Sequence, residues 1–321
     1  TGPYVSSDYR YEDAINQKFK TKGVKIRRSF YQNDSFTFED VVNKEDGHPP
    51  LGGILASGTN YIFYQKLAIL GDIESYHLAE VLAGFLGIVA VSIFTLRNFG
   101  LWISLISSLS IALYPLFFSE SHFNIKDTFL ASFFCISLVL FYFGIKELRW
   151  YKIILSAFFA GLALGVKFNV LFLPFIIVPW LFLHILKLLR KRFKLSKNVF
   201  TVALSISFYP VVTIAVFYLL WPYLWPDPIG NIQRIIGFYR SIGTGTPPEL
   251  RKYIFYGFNT FPAVWVLFTT PIPILILAIM GIFTSFFNFF RGKLSYLLVL
   301  LWFFIPILRV SLPNVAIYGG V

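Results

Sequence analysis

From residue 76 to residue 311 the chain is a succession of apolar segments, and this limits the folds open to it more than any other feature. Eight can be counted, at approximately 76–96, 101–118, 128–145, 153–166, 170–188, 199–220, 262–290 and 294–311. Most approach the roughly 20 residues that a helix needs to cross the hydrocarbon core of a bilayer. Hydrocarbon offers no hydrogen-bond partners, so such segments satisfy their backbones internally as helices. The expected class is an all-α polytopic membrane protein. Charged residues make up only 14% of the chain and apolar residues 56%, against about 25% charged in a soluble domain. The segments 153–166 and 170–188 are separated only by Lys167, Phe168 and Asn169, and the first is short, which fits a broken or tilted hairpin.

Residues 1–75 are mixed and polar, so the expected division is an external loop with interfacial helices over 1–75 and a transmembrane domain of about eight spans over 76–321. Orientation follows from the short loops, because cytoplasmic loops retain Lys and Arg. Alternate loops carry Arg97, then Lys146, Arg149 and Lys152, then Lys187, Arg190, Lys191, Arg192, Lys194 and Lys197, then Arg291 and Lys293, a set of 12. The intervening loops hold seven: Lys126, Lys167, Arg234, Arg240, Arg251, Lys252 and Arg309. The first set is therefore read as cytoplasmic. Of 16 acidic residues only Glu147 falls in that set's loops, while ten precede the first span. Acid chemistry is thus expected on the outer face, with the mid-span regions almost free of charge. The chain opens at Thr1 without a start methionine, and an outer start with an even number of spans calls for an upstream helix. A fragment lacking the first helix and the C-terminal part is expected.

Other classes are disfavoured. The net charge of +12 is scattered between apolar spans and forms no single stripe, so no nucleic-acid partner is expected. The single cysteine, Cys135, lies inside a span and excludes a disulfide framework or a thiolate metal site. His48 and His122 are isolated, and no metal centre is expected from them. A transporter or flippase is the competing class. It would place buried polar groups near the midplane, whereas here the acids concentrate outside.

The most informative string is Gly47-His48-Pro49-Pro50-Leu51-Gly52-Gly53, which closes the polar loop ahead of a moderately apolar stretch, 52–70. Two prolines exclude a helix through that point and favour an extended chain. Lys167 is the most unusual cation, placed at the end of a short apolar segment; juxtamembrane charges of this kind are functional candidates. Residues 229–240 carry Ile229, Ile232, Ile235, Ile236 and Tyr239 with Asn231, Gln233, Arg234 and Arg240 between them, the spacing of an amphipathic surface helix.

The Gly47–Gly53 string resembles the His/Lys-Pro-Pro-Leu motif that follows the first external loop in glycosyltransferases of the dolichyl-phosphate-mannose protein mannosyltransferase superfamily, which includes the bacterial lipid A aminoarabinose transferases. Ser121-His122-Phe123-Asn124-Ile125-Lys126-Asp127 is similar to their loop between the third and fourth spans, and Gly161–Asn169 to their Gly-Leu-Ala-x-x-x-Lys segment. Trp221–Pro228 and Thr270-Pro271-Ile272-Pro273 also look like features of bacterial members.

The resemblance implies a GT-C-type transmembrane core with a large first external loop, in a bacterial plasma membrane with its active site outside. It implies transfer of a hexose or pentose from a polyprenyl-phosphate carrier to a lipid, glycan or protein acceptor, without metal or cofactor. Such transfer needs a carboxylate that accepts the nucleophile's proton as the anomeric centre becomes positive. The matching region, Ser7–Asp13, offers Asp8, Glu12 and Asp13 for that role. The leaving phosphate needs cations, for which Lys126, Lys167, Arg234 and Arg240 are the candidates. His48, Pro49, Pro50, His122, Asn124 and Asp127 are the residues expected to shape the site.

Overall fold

A computed structural model describes residues 27–31, 37–43, 47–190, 196–241 and 248–313. Among them lie thirteen α-helices: α1 (Phe38–Asn43), α2 (Leu51–Asn60), α3 (Asp72–Phe99), α4 (Leu101–Ala112), α5 (Pro115–Phe123), α6 (Asp127–Lys146), α7 (Trp150–Leu164), α8 (Leu173–Arg190), α9 (Lys197–Leu220), α10 (Pro228–Ser241), α11 (Phe261–Thr269), α12 (Ile272–Phe290) and α13 (Leu294–Val310). Among the described residues five stretches are long and apolar enough to cross a bilayer: Asp72–Phe99, Asp127–Lys146, Phe168–Arg190, Lys197–Leu220 and Ile272–Phe290. The pair α4 and α5, bent by 56°, makes a sixth if counted as one span, and α7 and α13 are shorter apolar helices. This is the all-α polytopic architecture expected.

Two apolar segments are broken where proline intervenes. In 101–118 the bend falls at Tyr114-Pro115, with Pro115 opening α5, where its missing N–H is harmless. The segment 262–290 divides because Thr270 is extended (ψ 126°) and Pro271 cannot continue the α11 ladder. Pro179, Pro210 and Pro306, by contrast, lie inside helices.

The chain forms two compact units, one of residues 1–170 with 196–235 and one of 171–195 with 236–321. In the first, α3 packs against α2, α4 and α6, and α7 lies between α6 and α9. Small residues permit the close approach, as is usual where lipid supplies no hydrophobic drive between helices. A Cβ on Gly87 would meet Ser132 Oγ at 2.8 Å, and one on Gly161 would meet the Thr213 carbonyl at 2.8 Å. Hydroxyls tie the same helices together. Ser137, Ser156 and Tyr209 join α6, α7 and α9 with oxygens 3.0–3.1 Å apart, and Ser156 also donates to the Ser137 carbonyl at 2.7 Å. Thr213 donates to the Ala157 carbonyl.

At one end of this unit Glu147 accepts from Arg97 at 2.7 Å and from Lys152 at 2.6 Å, and Lys146 donates to Asn98. The basic loops after α3 and α6 therefore share one end. Burial pushes the Glu147 carboxyl up, but the hydrogen bonds and charges of Lys152 and Arg97 outweigh it and hold the group below its usual range.

In the second unit α13 packs against α8, α11 and α12. Trp180, which is buried, donates to the Leu294 carbonyl at 3.0 Å, and Lys187 donates to the Gly292 carbonyl, so these two basic loops also share an end. A short hairpin pairs Ile254–Phe255 with Phe258–Asn259 through Tyr256 and Gly257, both in the left-handed region. Helix α12 leaves most of its apolar side chains outward, as a lipid-facing span does.

Gly161→Val forces α7 away from α9, and such overpacking costs about 1–3 kcal/mol. Thermal unfolding in detergent should show Tm lowered by roughly 2–4 °C. Gly281→Ala, whose Cβ enters open space, should leave it unchanged. Equal effects of the two would refute the packing argument.

Candidate active site

At the end of the first unit opposite Glu147, three chain breaks meet. The Gly47–Gly53 string turns through Gly47 (φ 89°) and buries Pro49 and Pro50, and α2 begins immediately afterwards. Leu51 donates its N–H to the Gly165 carbonyl at 3.0 Å. Gly52 lies so close to the α5–α6 turn that a Cβ there would stand 2.1 Å from the Ile125 carbonyl oxygen. Only glycine fits this approach.

Asn124 organises the α5–α6 break. Its Oδ1 accepts the N–H groups of Lys126 and Asp127, both at 3.0 Å, which caps the start of α6. Its Nδ2 donates to Glu120 Oε2 at 2.5 Å and to Asp127 Oδ2 at 2.8 Å. The other Asp127 oxygen accepts from Lys167 Nζ at 2.7 Å. Lys167 extends the α7 C-terminal turn, its N–H bonded to the Ala163 carbonyl, where the helix dipole favours a cation. The side chains of Lys167 and Asp127 are 28% and 40% exposed. A pair this open stabilises the fold by about 0–1 kcal/mol, so its effect is to position the ammonium rather than to hold the protein together. The pair presents a partly desolvated cation at the end of a helical bundle, where an anionic phosphate group can compete with the carboxylate for the ammonium.

The Trp221 string joins the same region through aromatic packing. Trp221 is fully buried and its ring lies 6.0 Å from that of Phe168, the neighbour of Lys167. Beyond it Asn231 donates to the Tyr223 carbonyl at 2.5 Å, and Arg234 donates to Asn231 Oδ1 at 2.6 Å. Arg234 thus belongs to this turn, while Arg240 lies exposed in the last turn of α10. The residues over 229–240 do form a helix, with Ile235 buried and Ile229, Ile232 and Ile236 exposed.

Of the residues singled out in the sequence, Pro49, Pro50, Asn124, Asp127 and Lys167 are brought together. Lys126 adjoins them with its ammonium covered from solvent. His48 is half-buried in the turn. His122 is occupied within its own helix, its Nδ1 2.7 Å from the Phe118 carbonyl and its ring against Phe118. Asp8, Glu12 and Asp13 lie outside the described residues.

Three polar groups were not anticipated. Glu120 shares Asn124 with Asp127. Asp72 straps residues 27–31 onto α3, accepting from Ser29 Oγ at 2.7 Å, the Phe30 N–H at 2.6 Å and Asn60 Nδ2 at 2.6 Å. Glu80, fully buried in the first span, holds His77 Nδ1 between its two oxygens at 3.2 and 3.1 Å. It lies in the opening turns of the apolar segment 76–96. A lone acid in an apolar run was the available signal.

The model of the dolichyl-phosphate-mannose-protein mannosyltransferase family matches residues 47–221, more than half of the chain, and the chain belongs to that family. Comparison with curated proteins and with solved structures gave no match. The protein is accordingly a membrane glycosyltransferase of the GT-C type that uses a polyprenyl-phosphate sugar donor. The matched stretch contains every contact of the Asn124–Asp127–Lys167 cluster described above.

Because the Ile125 carbonyl occupies the space a side chain would need, Gly52→Val should unseat the Pro49-Pro50 turn. Sugar transfer from a polyprenyl-phosphate donor in membranes should fall by more than about tenfold. Gly58→Ala on the same helix, with nothing within 4 Å of its Cβ, should retain it. Comparable activity in the two variants would detach the turn from the site.

Proposed function

We propose that the cluster around Lys167 binds the phosphate of the lipid-linked donor on the non-cytoplasmic face, and that the sugar passes there to an acceptor hydroxyl or amine. The observation that carries this reading is the convergence of the 47–53, 121–127 and 161–169 strings through the Leu51–Gly165 hydrogen bond and the Asp127–Lys167 ion pair. In the resting arrangement Asp127 neutralises Lys167. A donor phosphate brings its own negative charge and takes over that partnership, and the ammonium then stabilises the leaving phosphate as the anomeric bond breaks.

Lys126, Arg234 and Arg240 are the further phosphate-binding candidates, and Asp8, Glu12 or Asp13 the base drawn from the loop over 1–75. His48, Pro49, Pro50 and His122 complete the shaping residues. The outer assignment rests on the distribution of basic loops, with Arg97 and Lys152 gathered on Glu147 at the opposite end. Transfer resembling that of the bacterial lipid A aminoarabinose transferases, to a lipid, glycan or protein acceptor at the bacterial plasma membrane, is the specific activity proposed, with either a hexose or a pentose as the group moved.

Lys167→Ala should weaken donor binding by about 10- to 100-fold, the loss of one charge-assisted contact, and leave acceptor affinity within about twofold. Binding of a labelled short-chain polyprenyl-phosphate mannose measures the first, and the acceptor KM the second. Unaltered donor affinity would remove Lys167 from the site.

For orientation, Lys66→Cys should react with a membrane-impermeant maleimide in sealed cells and Arg149→Cys should not. Both positions are exposed, and the native Cys135 is buried. The reverse pattern would overturn the outer assignment.

A further inference from the structure

Helix α11 is too short to cross a bilayer. Its 9 residues extend about 13 Å at about 1.5 Å each, less than half of the roughly 30 Å hydrocarbon core, and the break at Pro271 separates it from α12. Helices α12 and α13, with 19 and 17 residues, reach about 28 and 26 Å, close to that thickness. They pack together through the tight turn at Arg291–Lys293 and are therefore antiparallel. Ile272 and Val310 thus come to one end of the pair, and the Lys187–Gly292 hydrogen bond marks the other.

Both ends of α11 lie at the Val310 end. Ahead of α11, Asn259 donates its N–H to the Ser311 carbonyl at 2.9 Å, one residue past α13, and a Cβ on Gly257 would stand 3.8 Å from Pro313. At its far end, Thr270-Pro271 leads directly into α12. A helix that starts and finishes at one level runs along the boundary of the bilayer. Its side chains agree with that placement, since none is buried, Phe268 is 85% exposed, and Trp265 and Leu267 also face outward.

The hairpin over 254–259 continues this surface with Phe255 at 67% and Tyr256 at 87% exposure. Tyr253, Phe261 and Trp265 join hairpin to helix, their rings 5.2 and 5.6 Å apart in succession. Arg251 and Lys252 are exposed in the turn just before it, and no acidic residue follows Glu249 in the sequence. Aromatic and apolar side chains beside such cations match the acyl boundary of a leaflet with phosphates above it.

We propose that α11 and the 254–259 hairpin form an interfacial element immersed in the leaflet opposite Lys187, the outer one in the orientation proposed above, with the phospholipids of that leaflet as its partner. Trp265, Leu267 and Phe268 lie among the upper acyl carbons, and Arg251 and Lys252 lie at the phosphates. The helix can sink to that depth because its backbone is bonded internally. The turn through Tyr256 and Gly257 needs water for its peptide groups and stays among the head groups. Within 262–290 the membrane span is then α12 alone, and the lipid-facing side of α12 continues outward onto α11.

The test uses the full chain carrying one nitroxide at a time, on Lys252→Cys, Tyr256→Cys, Phe268→Cys or Met280→Cys, in nanodiscs of phosphatidylcholine and phosphatidylglycerol. Cys135 is buried, and the unsubstituted chain is the labelling control. Power-saturation EPR compares collisions with oxygen and with a water-soluble nickel chelate. The Phe268 label should lie about 5–10 Å below the phosphates, the depth of an interfacial helix. Met280, midway along α12, should be deeper, Lys252 in water, and Tyr256 between Lys252 and Phe268. Nickel collisions at Phe268 equal to those at Lys252 would put the element in water and overturn the proposal. A Phe268 label as deep as Met280 would overturn it too, making α11 part of a span. Poor access of both reagents to Tyr256 and Phe268, with spin–spin broadening between chains, would replace the lipid with a second copy of the protein.

Discussion

The carboxylate of Asp127 bridges two breaks in the chain that are far apart in sequence, those after α5 and after α7. One oxygen is bound to Asn124 at the end of α5 and the other to Lys167 at the end of α7. Helices end at these points because the chain must leave the bilayer, and each end exposes backbone groups that need partners. Asn124 supplies acceptors for the first N–H groups of α6, and Gly165 lends its carbonyl to the first N–H of α2. The groups that a membrane protein must satisfy at its helix ends are thus shared among three loops. That sharing fixes the loops' positions without any large polar core.

Below this level, contact between the helices relies on small residues and hydroxyls. The approach of α3 to α6 depends on Gly84 and Gly87, and that of α7 to α9 on Gly161. The Ser137–Ser156–Tyr209 knot adds directional bonds worth about 0.6 kcal/mol each in a bilayer. Their value lies more in register than in energy. A slip of one turn between α6 and α7 would strand three hydroxyls in hydrocarbon and carry Lys167 away from Asp127 by about 5 Å. The rigid bundle therefore determines whether the ion pair at its end can form.

Much of this was legible in the sequence because hydropathy and proline act locally. Segments 76–96 and 128–145 are contained in α3 and α6, since nothing interrupts them, and 199–220 is contained in α9 although Pro210 lies inside it. The breaks at Pro115 and Pro271 required weighing a proline against an otherwise continuous apolar run, and composition alone favoured the run. At the site, Pro49, Pro50, Asn124 and Lys167 stood out by position or by likeness to a motif. What composition could not reveal was pairing: Glu120 reads as a loop acid until Asn124 is found to bind it together with Asp127. The tight fit at Gly52 is likewise a property of the Ile125 backbone, more than 70 residues away, and leaves no local trace.

Glu80 carries a different lesson about depth. Eight residues into α3, it lies about 12 Å along the axis from Asp72 at about 1.5 Å per residue, a place where a lone carboxylate is expensive. Its neighbours explain how it is tolerated. His77 meets both its oxygens, and the aromatic layer of Tyr31 stacked on Tyr76 at 3.9 Å covers the helix near its Asp72 end. That layer is itself held down by Asp72, whose carboxylate grips Ser29 and Phe30. The same strap that roofs the buried pair therefore ties the polar segment over 27–31 to the first span. Asp72 is thereby linked to His77 through the loop as well as along the helix, by way of the Tyr31–Tyr76 stack that meets the imidazole edge-on.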